Sequence, residues 1–232
     1  VMARLLILAL LLFAALPARA GDPRLRWRTL ETAHFEIHFH ERERPVAQRV
    51  AAVAERAHQV LSPALKWRPS RKTHLVLTDN TDGANGSATV LPYNLIRLFV
   101  TAPESNSVLN DHDDWMFGLI VHEYAHVLHL DNITGLPRLV NAVLGKNWSP
   151  NQIQPRFIIE GLATYEESKH TTSGRMRSAI FDMFLRSALL EGKLLRLDQV
   201  TAGAPLAWPQ GTTAYLDGAS LVAYVADRWG DE

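Results

Sequence analysis

Alternating hydrophobic and polar positions mark the first clear element of the chain, at residues 34–40, which read HFEIHFH. Phe35, Ile37 and Phe39 fall on one face of the predicted strand, because successive side chains of a strand point to opposite faces. The other face carries four polar side chains, those of His34, Glu36, His38 and His40. We interpret this second face as a solvent-facing surface rather than a metal site, because one flat strand rarely brings three side chains to a single ion.

Further periodic segments follow. Residues 45–65 predict a helix that begins at a proline, is rich in alanine and carries valines at helical spacing. Residues 73–79 and 94–100 predict two short strands, and the turn-rich residues 80–88 lie between them.

A nearly continuous apolar run covers residues 115–130 and predicts a buried helix, with Asp111 or Asp113 as its N-cap. The run contains four polar side chains, those of His122, Glu123, His126 and His129. Burying imidazoles and a carboxylate together is costly unless they have partners, and a metal ion is one such partner.

The spacing HExxH supports a zinc site. His122 and His126 are one helical turn apart and point the same way, so both rings can bind one Zn²⁺. Glu123 lies ~100° around the helix from His122, beside the ion, where a general base belongs. His129 lies ~10 Å along the axis from His122 and therefore cannot bind the same ion.

A third ligand must come from elsewhere in the chain. The pattern HExxHxxGxxH fails, because His129 stands at the glycine position and Asn132 at the last histidine position. Residues 211–218, GTTAYLDG, resemble a GTxDxxYG segment, but Ala214 stands where the aspartate is required. Asp217 is then a fallback at a different spacing.

The best candidate for the third ligand is Glu160, within residues 155–168, PRFIIEGLATYEES. Its neighbours are apolar, and an unpaired carboxylate in such a setting is costly. Glu166 and Glu167 lie among polar residues and are interpreted as solvated. Gly161 would let this helix approach the metal-binding helix closely.

Composition narrows the class of protein. The chain has 232 residues, 47% of them hydrophobic, and a formal net charge of zero. This length suits one domain with a real core, and the neutral charge gives no reason to expect nucleic acid or an anionic membrane surface as partner. The chain has no cysteine, so disulfides and cysteine zinc ligands are excluded.

Residues 1–20 have the pattern of a signal peptide. Arg4 precedes the apolar residues 5–16, Pro17 follows, and residues 18–20, ARA, form a cleavage site. We expect export to the periplasm or the extracellular space, with no membrane span after cleavage, and one domain over residues 21–232. The first residue is valine, which is consistent with a fragment or an alternative start.

The motifs HEYAH, at residues 122–126, and EGLATYEES, at residues 160–168, resemble those of gluzincin metallopeptidases. Within that family the chain resembles the peptidase MA-like domains of exported bacterial proteins, in which a TolB-like β-propeller often follows. Softer similarities lie at residues 34–39, 82–100 and 214–230, so the resemblance covers nearly all of the chain after residue 20. It departs from the family at Phe157, where relatives often have tryptophan, and no propeller is present.

The resemblance implies an α+β, zincin-like fold, in which a small twisted sheet packs on the HExxH helix and a helical part follows. It implies Zn²⁺ bound by His122, His126 and Glu160, with Glu123 as general base and acid. It also implies a tyrosine that stabilises the oxyanion. Tyr215 is the best match, and Tyr165 and Tyr224 are weaker ones.

The expected activity is hydrolysis of peptide bonds in a polypeptide substrate by a metal-activated water. The substrate would add as a strand along a sheet edge, for which residues 94–100 are the candidate. An alternative is an exported, non-catalytic binding or assembly module, whose closed metal site would need His112, His129 or Asp131 as fourth ligand. Hydrolysis of another amide or of a peptidoglycan cross-link is a third possibility.

Overall fold

The computed structural model describes residues 24–105, 107, 109–201 and 210–231. These residues form a five-stranded sheet followed by a mainly helical half, in agreement with the predicted α+β class. The strands are β1 (Trp27–Glu31), β2 (Phe35–His40), β3 (Thr73–Thr78), β4 (Gly86–Thr89) and β5 (Leu95–Phe99). The α-helices are α1 (Arg44–Ala64), α2 (Trp115–Leu130), α3 (Gly135–Leu144), α4 (Arg156–His170), α5 (Ala179–Leu190), α6 (Leu197–Thr201) and α7 (Thr213–Trp229).

The predicted signal peptide, residues 1–20, lies outside the described residues. Within the described part of the chain, no helix combines the length and the apolar character that crossing a membrane requires.

The sheet has the strand order β1-β2-β3-β5-β4. Strands β2, β3 and β5 are parallel, whereas β1 and β4 pair in antiparallel fashion at the two edges. The prediction that residues 94–100 form an edge strand is wrong, because β5 pairs on both sides. The edge is formed instead by β4, from residues predicted to lie in a turn-rich connection.

The core lies on one face of this sheet. Phe35, Ile37 and Phe39 are fully buried, as the alternating pattern predicts. Helices α1 and α2 pack together against this face and complete the main hydrophobic cluster. The sheet thereby fixes the position of α2, which carries the HExxH motif.

The N-cap of helix α2 is Asp114, which follows directly after Asp113, the later of the two predicted caps. The side chain of Asp114 accepts a hydrogen bond from the Phe117 backbone N–H, at 3.3 Å. The prediction of Asp111 or Asp113 as N-cap is therefore wrong. The Asp113 carboxylate is engaged elsewhere, since it accepts a hydrogen bond from the Thr172 backbone N–H at 3.1 Å and so ties the end of α4 to the start of α2.

Helices α4 and α7 approach to backbone contact at two glycines. A Cβ atom built at Gly161 would lie 2.4 Å from the carbonyl carbon of Gly218. A Cβ atom built at Gly218 would lie 2.3 Å from the carbonyl oxygen of Phe157. Gly161 thus permits a close approach, but to α7 rather than to the metal-binding helix α2 as predicted.

Candidate metal centre

Helix α2 presents His122 and His126 on one face, as their spacing predicts. Both side chains are buried, and their ring centroids are 4.8 Å apart in an edge-to-face arrangement. The helix is apolar nearly all round and is buried along most of its length, so it carries both imidazoles into the protein interior. Buried imidazoles of this kind require polar partners.

Helix α4 supplies the third member of the group. The Oε2 atom of Glu160 lies 3.2 Å from Nε2 of His126 and 3.6 Å from Nε2 of His122. In a tetrahedral site with metal–ligand bonds near 2.1 Å, two ligand atoms are separated by roughly 3.4 Å. The donor types and their spacing therefore fit a zinc ion.

No fourth ligand joins this group among the described residues. The candidate ligand atoms within 4.8 Å of one another come from His122, His126 and Glu160. The fallback Asp217 and the proposed fourth ligands His112, His129 and Asp131 do not belong to it.

Asp131 has other partners. Its carboxylate accepts a hydrogen bond from Nε1 of Trp67 at 2.9 Å and forms an ion pair with Lys146. These contacts hold the C-terminal end of α2, away from the turn that carries the candidate metal ligands.

Glu167 contacts the candidate centre, which the sequence analysis does not predict. The interpretation of Glu166 and Glu167 as solvated is wrong, because Glu166 is buried and the Glu167 carboxylate lies 3.1 Å from Nδ1 of His122 and forms an ion pair with the buried Arg175. The Arg175 guanidinium also contacts Nδ1 of His122. With the proton on Nδ1 donated to Glu167, Nε2 of the same imidazole is free to bind a metal. The spacing from Glu160 was an available signal, because seven residues are nearly two helical turns and place both glutamates on one face.

The two glutamates add negative charge to the candidate centre. Burial raises the pKa of Glu160, but hydrogen bonds from His122 and His126 outweigh burial and hold this pKa well below its usual range. Burial likewise opposes ionisation of Glu167, but the charge of Arg175 and the contact with His122 lower its pKa to about 2. Both carboxylates are therefore ionised at neutral pH beside the imidazoles.

Glu123 is buried but is not a member of the ligand group. Its side chain lies beneath the edge strand β4, since a Cβ atom built at Gly86 would be 2.9 Å from Cγ and from Oε1 of Glu123. Burial raises the pKa of Glu123, whereas the charges of His122 and His126 lower it to a smaller extent. A raised pKa makes a carboxylate a better proton acceptor.

Tyr215, on α7, reaches the same centre. Its ring stacks on that of His122 with centroids 6.1 Å apart, and its hydroxyl lies 3.4 Å from the Arg156 guanidinium. Burial and the charge of Glu160 raise the pKa of Tyr215, so its hydroxyl stays protonated.

The two weaker tyrosine candidates point elsewhere. The Tyr165 hydroxyl donates to Asp231 at 2.6 Å, and Tyr224 is exposed beside Trp229. Of the three tyrosines, Tyr215 is the one that contacts a member of the metal group.

These side chains face a common cleft with a volume of about 450 Å³. Ligand pockets typically measure ≈ 300–1,000 Å³. Its lining includes the metal group together with Gly86, Glu123, Glu167, Arg175 and Tyr215. The cleft is bounded by the edge strand on one side and by α4 and α7 on the other, so a ligand entering it would meet all of the proposed site residues.

No model of a known protein family matches the chain, and no curated protein matches it. The gluzincin family and its activity therefore remain proposals that rest on the motifs and on the geometry of the cleft.

We expect Glu167→Gln to weaken zinc binding by roughly 10–100-fold, because glutamine is a weaker hydrogen-bond acceptor for Nδ1 of His122. The dissociation constant would be measured by competition with a chromophoric chelator. Glu166→Gln is the matched control, since the neighbouring Glu166 pairs with His170 at 3.0 Å instead of with the centre. Equal zinc affinities in the two variants would contradict the role given to Glu167.

Proposed function

We propose that the chain is a zinc-dependent peptidase of the gluzincin type with a zincin-like fold. The observation that carries the proposal is the convergence of His122, His126 and Glu160, with Glu123 outside this ligand group but facing the same cleft. A structural zinc site normally has four protein ligands, whereas a catalytic site has three and keeps one position open. The three-member group supports catalysis over the alternative of a closed structural site.

In this proposal each residue of the site has a distinct task. Zn²⁺, when bound, acts as a Lewis acid and lowers the pKa of water to ≈ 7. Glu123 accepts the proton of the attacking water and then delivers it to the departing amine nitrogen. Its burial supports this task, because the raised pKa brings the carboxyl closer to the working pH.

Tyr215 stabilises the negative charge that develops on the carbonyl oxygen of the substrate. Its protonated hydroxyl donates a hydrogen bond to that oxygen in the transition state. The Arg156 guanidinium donates a hydrogen bond to the oxygen of this hydroxyl at 3.4 Å, so the hydroxyl proton is left for the substrate.

The substrate class follows from the edge strand. The outer side of β4 is not paired with another strand in the described part of the chain. An extended polypeptide can add there as a further strand through main-chain hydrogen bonds, with its scissile bond over Glu123. We therefore propose unfolded or extended polypeptides as substrates, and β4 rather than residues 94–100 as the strand that binds them.

Export to the periplasm or the extracellular space belongs to the same proposal. It rests on the signal-peptide pattern of residues 1–20. A β-propeller that follows this domain in a longer protein stays a prediction from the resemblance.

The proposal is tested by metal dependence. We expect the purified chain to cleave fluorescently labelled, unfolded casein, to lose this activity on treatment with a chelator, and to regain it when Zn²⁺ is added back. Glu160→Gln should lose one zinc per chain together with the activity. Full cleavage after removal of all zinc, or unchanged zinc content in Glu160→Gln, would overturn the proposal.

A further inference from the structure

A second group of metal-ligating side chains lies on the face of the sheet opposite the core. Glu36 and His38 belong to β2, whereas His74 belongs to the neighbouring parallel strand β3. The register pairs Glu36 with His74, so the three side chains meet across the two strands. A single strand could not bring three ligands together, but two adjacent strands can.

The positions of the ligand atoms suit a metal ion. Nε2 of His38 lies 2.9 Å from Nδ1 of His74, and Oε2 of Glu36 lies 3.5 Å from the same Nδ1. All three ligand atoms lie within 4.8 Å of one another. Small rotations of the side chains bring them to the roughly 3.4 Å separation of tetrahedral zinc ligands.

Neighbouring residues hold the imidazoles of His38 and His74 in orientations that suit metal binding. Nδ1 of His38 lies 3.0 Å from the Thr29 hydroxyl on β1, which can accept the Nδ1 proton and leave Nε2 as the ligand atom. The His74 ring packs against the edge of Tyr93, with centroids 5.1 Å apart. Both imidazoles are thus held by neighbours outside the group.

We propose that Glu36, His38 and His74 form a second metal site, which binds a divalent transition metal such as Zn²⁺ independently of the His122 centre. Two imidazoles and a carboxylate are ligands that zinc, copper and nickel accept. The ion takes the place of the direct contact between the two imidazoles. All three side chains are partly exposed, so the site is open to solvent and can exchange its metal.

A metal ion bound by these three side chains would link strand β2 to strand β3. Because an ion that binds only the folded state stabilises it by mass action, the site raises the melting temperature in the presence of zinc. It is separated from the proposed peptidase site by the sheet itself, since α2 packs on the opposite face.

The test is the zinc stoichiometry of the full chain, purified without a histidine tag and measured by mass spectrometry of the metal after equilibrium dialysis. We expect two zinc ions in the wild type, one in His38→Gln and in His74→Gln, and one in Glu160→Gln. His34→Gln is the matched control, because His34 precedes the same strand but pairs with Glu55. Circular dichroism verifies that each variant is folded, and these exposed positions should tolerate glutamine.

The stoichiometries separate the two sites. A wild type whose single zinc is lost in Glu160→Gln, or His38→Gln and His74→Gln variants that retain as much zinc as the wild type, would overturn the second site. Loss of a zinc from His34→Gln would do the same, because the effect would then not be specific to the group. None of these outcomes affects the proposal for the His122 centre, which the Glu160→Gln variant reports separately.

Discussion

Glu123→Gln is expected to lower the rate of peptide hydrolysis by about 10³-fold, because the proposed general base is removed. The amide of glutamine has nearly the shape of the carboxylate but cannot accept the proton of the attacking water. Since Glu123 is outside the metal group, the variant should keep the same zinc content as the wild type. The measurements are kcat/KM on a labelled unfolded polypeptide and the zinc content of the same sample.

Comparison with Glu160→Gln distinguishes loss of the general base from loss of the metal. That variant should lose zinc and activity together, whereas Glu123→Gln should lose activity alone. If Glu123→Gln retained more than about a tenth of the wild-type activity, the loss would fall below the range for general acid–base catalysis and the assignment of the base would be wrong. If it lost zinc, Glu123 would have to be reassigned as a ligand.

The parts of the centre that could be predicted from the sequence are those fixed by the geometry of one helix. The relative directions of His122, Glu123 and His126 follow from 3.6 residues per turn and do not depend on the rest of the fold. Glu160 required one further argument, the cost of a carboxylate among apolar neighbours. Its position beside both imidazoles agrees with that argument.

Glu167 shows where such reasoning fails. Its neighbours in sequence are polar, which suggested a solvated side chain, but its partners His122 and Arg175 come from outside the helix. The polarity of adjacent residues indicates how exposed a side chain would be on an isolated helix. Burial by a neighbouring helix and by a turn eight residues later is a tertiary effect that the local pattern does not contain.

The edge strand β4 was missed for a different physical reason. Its sequence, GSAT, has little intrinsic preference for a strand, and it becomes one through pairing with β5. The small Gly86 is also what allows the strand to approach Glu123. Glycine at position 86 therefore has two effects. It lowers the strand propensity of the segment, and it makes room for the Glu123 side chain beneath the strand.

Gly161→Ala is expected to lower the free energy of unfolding by about 1–3 kcal/mol, the usual cost of overpacking. The added Cβ would lie 2.4 Å from the carbonyl carbon of Gly218, and a backbone atom cannot rotate away as a side chain can. Helices α4 and α7 must therefore separate. The measurement is urea denaturation of the metal-free protein, which isolates packing from metal binding.

The same separation should reach the metal centre, because Glu160 is adjacent to Gly161 on α4 and Tyr215 lies three residues before Gly218 on α7. We therefore expect weaker zinc binding as well as lower stability in Gly161→Ala. The matched control is Gly118→Ala in helix α2, where a Cβ meets no atom within 4 Å. That change should stabilise the protein by up to about 1 kcal/mol, the difference in helix propensity. Equal stabilities in the two variants would mean that α4 and α7 are not in backbone contact, and that Glu160 and Tyr215 owe their positions to something else.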